Sequence, residues 1–127
     1  METVSPNIFV KDIEATVAFY SLLGFTVADA VTLPSGEKVF VLMTNGAVTF
    51  MFQTFSSIDG TLPIVSRTDG GSLLLYVKMK GIRSFFEKIR DQIPVLTALE
   101  KTFYGATEFS IRDNNNFLLT FAEDEQG

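Results

Sequence analysis

Asn-Ile-Phe-Val-Lys-Asp-Ile-Glu-Ala-Thr-Val-Ala-Phe-Tyr (Asn7–Tyr20) returns, loosely, as Leu-Tyr-Val-Lys-Met-Lys-Gly-Ile-Arg-Ser-Phe-Phe (Leu75–Phe86). Each stretch is a short apolar run that turns into an amphipathic helix pattern. In the first copy Asp12 is a good N-cap, Ile13, Val17 and Tyr20 recur at helical spacing, and Gly24 closes the helix. In the second, Ile82, Phe85, Phe86, Ile89 and Ile93 follow the i, i+3, i+4, i+7 rule, and Pro94 marks the exit. Downstream of each copy the pattern repeats again. Val39–Gln53 and Thr107–Glu123 both read as strand, polar turn, strand.

The segments between fill in the same plan. Phe25–Ala30 and Lys38–Met43 read as strands separated by Pro34-Ser35-Gly36, and Thr44-Asn45-Gly46 signals a hairpin in which Asn-Gly takes the positive φ angles. Leu96–Lys101 completes the second set. Asp113-Asn114-Asn115-Asn116 suits a turn, since asparagine tolerates the left-handed region. The expectation is an α+β chain of two βαβββ modules, curled as mixed sheets around a cleft, forming one domain over 1–127. Module 1 spans about 4–54, a linker about 55–71, and module 2 about 72–123, with the tail Asp124–Gly127 frayed. The linker is long for a passive connection and could also cover part of a site.

Composition narrows the chemistry. The chain has no histidine and no cysteine, so a Ser-His-Asp triad, a thiolate nucleophile, disulfides and cysteine metal sites are all excluded. A net charge of −5 lacks the basic footprint that nucleic acid requires. The acidity is concentrated in residues 1–66, where Glu2, Asp12, Glu14, Asp29, Glu37 and Asp59 face only Lys11 and Lys38. No apolar run approaches the ~20 residues of a membrane helix. The N-terminus lacks a signal-peptide pattern, so a cytoplasmic protein without membrane or nucleic-acid partners is expected.

Three segments carry a family resemblance. Pro6-Asn7-Ile8-Phe9-Val10-Lys11-Asp12 with Ala18-Phe19-Tyr20 and Leu23-Gly24-Phe25, then Tyr104-Gly105-Ala106-Thr107-Glu108-Phe109, then Arg112–Phe121, together resemble the vicinal oxygen chelate superfamily. That superfamily includes glyoxalase I, the bleomycin-resistance proteins and the extradiol dioxygenases. The resemblance implies a homodimer, with modules paired or exchanged between chains. In metal-dependent members a His or Gln, a Glu, a His and a Glu hold a divalent ion. Those places fall near Ser5, at Thr49, near Leu74 and at Thr120 in this chain. Hydroxyls and a leucine are poor ligands for such ions, so neither metal nor other cofactor is expected.

The remaining candidates are ligand-binding groups. Alternation lets Thr49, Met51 and Gln53 share one face, and Asn7, Ser5 and Thr120 add polar groups of the kind that line small pockets. Phe103 and Tyr104 precede a strand in a loop and are the rings best placed to contact a ligand, most other aromatics being core. No catalytic residue is assigned, but Glu108 lies inside an apolar strand and could act as a general base or pair with a ligand cation. Whether Glu108 or Phe109 shares a face with Thr120 is open from sequence. Three functions follow: a metal-free binder that sequesters an aromatic or cationic small molecule; a lyase or isomerase using Glu108 or an unorthodox ion; and a degenerate domain kept for protein contacts.

Overall fold

A computed structural model describes residues Met1–Glu125. The chain alternates β1 (Asn7–Val10), α1 (Ile13–Leu22), β2 (Thr26–Thr32), β3 (Lys38–Asn45), β4 (Val48–Thr54), a 3-10 turn at Phe55–Ile58, β5 (Leu74–Lys78), α2 (Ile82–Ile89), β6 (Val95–Lys101), β7 (Ala106–Arg112) and β8 (Leu118–Asp124). Two four-stranded sheets result, ordered β1-β4-β3-β2 and β5-β8-β7-β6. In each, the first strand runs parallel to the last and the other pairings are antiparallel. The architecture is therefore α+β, two βαβββ modules with curled, open mixed sheets. They are compact units of residues 1–69 and 70–127.

One face of each sheet is sealed by its helix. In the first unit, Ile8, Val10, Val41, Met43, Phe50 and Phe52 are buried with Ile13 and Tyr20 of α1. Tyr20 is the hub, 4.8 Å from Phe52 and edge-on to Phe25 and Phe50 at 5.6 and 5.8 Å. Thr16, rather than Val17, completes the buried stripe, and its hydroxyl donates to the Asp12 carbonyl at 2.8 Å, which satisfies it within the helix. In the second unit Phe109 and Phe121 stack at 5.2 Å, and Phe86 of α2 meets Phe109 edge-on at 5.0 Å.

The two helices start differently. Asp12 caps α1 from its own chain position, its Oδ1 accepting from the Ala15 amide at 3.1 Å. Gly81 precedes α2 with no side chain to offer, and Oε1 of Glu123 on β8 accepts from the Ile82 amide at 3.0 Å instead. Those backbone donors hold the Glu123 carboxyl below its ordinary range. A carboxylate at a helix N-terminus is also favoured by the helix dipole.

Turns depart from expectation in two places. Between β3 and β4 the two loop residues are Gly46 and Ala47, with Asn45 still in the ladder opposite Val48. Gly46 carries the positive φ (58°), and the Asn45 side chain donates to the Leu23 carbonyl at 3.3 Å. In the β7–β8 turn only Asn116 is left-handed (φ 65°), while Asp113 Oδ1 accepts from the amides of Asn115 and Phe117, each at 2.8 Å. Gly70 lies against this turn, and a β-carbon there would meet the Asn116 carbonyl at 2.7 Å. At the C-terminus the expected fraying does not begin at Asp124. Asp124 ends β8, and Glu125 bonds through its amide to the Gly105 carbonyl at 2.8 Å; Gln126 and Gly127 lie outside the described residues.

Candidate functional site

Each sheet has a second face with no helix on it, and strand alternation assigns its residues. In the second unit the register pairs Ser110 with Thr120, Thr120 with Tyr76, and Glu108 with both Ala122 and Glu100. Phe109 pairs with Phe121 on the helix side and is fully buried. Glu108 therefore shares the helix-free face with Thr120, and Phe109 does not. The half-buried Glu108 has two phenol partners: the hydroxyls of Tyr76 and Tyr104 both donate to its Oε2. No hydrogen bond of the described residues reaches Oε1. Alongside, the hydroxyls of Ser110 and Thr120 bond at 2.8 Å.

These hydrogen bonds set the protonation of the phenols. Glu108 beside them raises Tyr76 and Tyr104 above the ordinary tyrosine value, chiefly because each hydroxyl proton is held by the carboxylate. Both phenols remain donors at neutral pH. They are also open to solvent, Tyr76 at 45% and Tyr104 at 57% exposure. Phe103, next to Tyr104 and edge-on to it at 5.1 Å, is completely exposed. Sequence reasoning passed over Tyr76. The signal available was its phase, since it lies two residues from Leu74 on the same side of β5.

The helix-free face of the first unit is built from Asn7, Phe9, Phe40, Leu42, Thr44, Thr49, Met51 and Gln53. Thr49, Met51 and Gln53 do share this face. Asn7 Nδ2 donates to Gln53 Oε1 at 3.0 Å, and Gln53 Nε2 donates to Ser57 Oγ at 2.9 Å. The chain of amides is fixed at the end of an otherwise apolar platform. Phe9 and Phe40, half-buried on either side of Gln53, were not singled out from sequence as members of this face. On the opposite side of the sheet, α1 and β2 enclose a cavity of about 220 Å³ whose walls include Ile13, Val17, Val27 and Val41, with Lys38 also lining it.

The places where metal-dependent relatives carry ligands do not supply a donor set. Thr120 is engaged with Ser110, Thr49 pairs with Thr44, Leu74 is a hydrocarbon, and Ser5 precedes β1. Register sharpens the correspondence. Aligning the helix caps Asp12 and Gly81 makes Asn7 the counterpart of Tyr76, and hence Met51, not Thr49, the counterpart of Thr120. A thioether in place of a threonine brings no carboxylate or imidazole. These residues do not fit a divalent ion, and no group of three or more Asp or Glu side chains among the described residues gathers as one could require.

Comparison with known proteins agrees with the topology. The chain's fold matches a bleomycin-binding protein complexed with bleomycin (17% identity, 98% of this chain and 100% of that one, TM-score 0.69). It also matches a bleomycin resistance determinant encoded on transposon Tn5 (18% identity, 99% and 100%, TM-score 0.71). A protein of unknown function from Agrobacterium tumefaciens str. C58 matches at 25% identity, over 98% and 94% of the chains, with TM-score 0.77. No curated protein matches the chain. Among the described residues no helix is long and apolar enough to cross a membrane. Residues 3–121 match the family model, and with the paired βαβββ modules this establishes that the chain belongs to the glyoxalase/bleomycin resistance protein/dioxygenase superfamily.

Proposed function

We propose that this protein binds an aromatic or cationic small molecule without a metal, on the helix-free sheet faces. The carrying observation is Glu108, a carboxylate pinned by two phenols, one of which has the fully exposed Phe103 edge-on to its ring. Small-molecule sites combine apolar and aromatic walls with a few fixed polar groups. Tyr104, Phe103, Tyr76 and Thr120 meet that description in the second unit, and Asn7, Met51, Gln53 and Thr49 meet it in the first. A structural neighbour complexed with bleomycin supports an organic ligand on this fold. A lyase or isomerase with Glu108 as general base is the second reading, and Oε1, which neither phenol engages, is the atom it would use.

The same reading includes a cytoplasmic homodimer. Exposed Val27, Val31 and Leu33, on and just after the edge strand β2, support self-association. Sedimentation of the purified protein tests it, a monomer at micromolar concentration standing against it. A thermal-shift screen with aromatic amines, other organic cations and uncharged aromatics tests the binding. A ligand at ~100 times its dissociation constant adds about 2.7 kcal/mol and raises Tm by several degrees. Silence from every compound would remove the proposal.

A further inference from the structure

We propose that Glu108, Tyr76, Tyr104 and Phe103 form a headgroup site for a primary or secondary ammonium, whose N–H is donated to Glu108 Oε1. This rests on the binding function proposed above and assigns the chemistry of its polar end.

Four observations carry it. First, the carboxylate is asymmetrically used: both phenols donate to Oε2, and Oε1 is left as an acceptor. A carboxylate oxygen without a donor on an aromatic-lined face selects a ligand that brings an N–H, and a charged N–H gives the stronger bond. Second, the site carries two carboxylates. Glu100 lies directly opposite Glu108 in the β6–β7 register, a placement that puts like charges side by side. No ion pair of the described residues involves either one. Lys78, on this face and in the row of Glu108 across Ala122, pairs with Asp124 at 3.1 Å, and Arg112 is four residues, about 13 Å, along β7 from Glu108. Third, an aromatic ring is held beside the carboxylate. Tyr104 is tethered through its hydroxyl to Glu108, and the fully exposed Phe103 lies edge-on to Tyr104. Ring faces attract cations electrostatically. Fourth, the phenols stay protonated, so they remain donors to Oε2 and do not compete for the ligand's proton.

A quaternary ammonium would satisfy the rings but not Oε1, and a neutral alcohol would satisfy Oε1 but not the charge. Three probes therefore separate the terms: phenethylamine, its N,N,N-trimethylammonium analogue and 2-phenylethanol. Their binding is followed by NMR titration of the tyrosine ring protons in the full-length protein. The amine is expected to bind about tenfold or more tightly than the alcohol, with the trimethyl analogue weaker than the amine. Glu108→Gln, which keeps the shape and an acceptor oxygen, is expected to reduce amine binding to the level of the alcohol. Phe103→Ala, at a fully exposed position that the fold does not need, is expected to weaken the amine a few-fold.

A trimethyl analogue as tight as the amine would overturn the N–H assignment. Amine and alcohol binding equally, with Glu108→Gln indifferent, would overturn the headgroup site while leaving the binding function in place. If no probe binds but an uncharged aromatic stabilises the protein, the headgroup site again fails alone. If nothing binds in either experiment, both fail.

Discussion

The two modules share one topology and differ in what they put on their open faces. Asn7, Met51, Gln53 and Leu42 occupy the places that Tyr76, Thr120, Ala122 and Ser110 hold in the second module, and Phe40 stands where Glu108 does. One face is an apolar platform with an amide pair. The other carries a carboxylate, two phenols and two hydroxyls. The helix sides, by contrast, stay alike: Phe52 and Phe121 are counterparts, and both are buried. Packing against a helix requires apolar bulk at set positions, and the hydrogen-bonded ladder fixes those positions whichever module is considered. The free faces are under no such demand. The two modules share a scaffold and differ at the uncovered positions, where the second module is the more polar.

Breaking the shared part should cost the most. Phe52→Ala and Phe121→Ala are each expected to destabilise the protein by about 3–5 kcal/mol in urea denaturation. A large disparity between the two would show that the cores are not equivalent. Next in size is Gly70→Ala, expected to cost at least about 1 kcal/mol, because a left-handed backbone and a 2.7 Å approach to the Asn116 carbonyl both oppose the added carbon.

The helix caps sharpen the contrast. Asp12→Ala is expected to cost about 1 kcal/mol. Its functional counterpart in module 2 is Glu123, forty-one positions from the amide it caps. Its folded-state pKa is depressed, so its contribution is present above the ordinary glutamate range and is lost as pH falls through the folded value. Glu123→Gln should therefore flatten the acid limb of a stability–pH profile. An unchanged acid limb would argue that the cross-strand cap is not formed.

The smallest effect lies on the open face. Tyr76 and Tyr104 have raised pKa values, so the stability they contribute is present below the ordinary tyrosine value near 10 and is lost as pH rises beyond it. In an alkaline titration followed by tyrosinate absorbance, Glu108→Gln should bring both phenols down toward that ordinary value. Tyrosines that titrate identically with and without Glu108 would show that the hydrogen bonds are absent.

Most of the fold could be read from the chain because its signals are local and repeated. Every strand was placed within a few residues, and the helix of module 2 announced itself through Ile82, Phe86 and Ile89. The Asn-Gly turn slid by one position: Asn45 stays in the ladder with its side chain on the Leu23 carbonyl, and Gly46 alone takes the positive φ. The site was harder. Alternation grouped Thr49, Met51 and Gln53 without help, but it could not say which of Glu108 and Phe109 faces outward. That depends on where α2 packs, which is a tertiary fact. Tyr76 was missed for the same reason: its importance comes from a carboxylate thirty-two positions away.

The central claim is that the helix-free face around Glu108 receives the ligand. Its most direct test is a backbone and side-chain NMR shift map with the most stabilising compound from the thermal-shift screen. The account predicts perturbation at Tyr76, Tyr104, Glu108 and Thr120, with Ile82 and Ile89 on the helix side silent. Perturbation confined to Ile13, Val17 and Val27, around the cavity between α1 and β2, would contradict it.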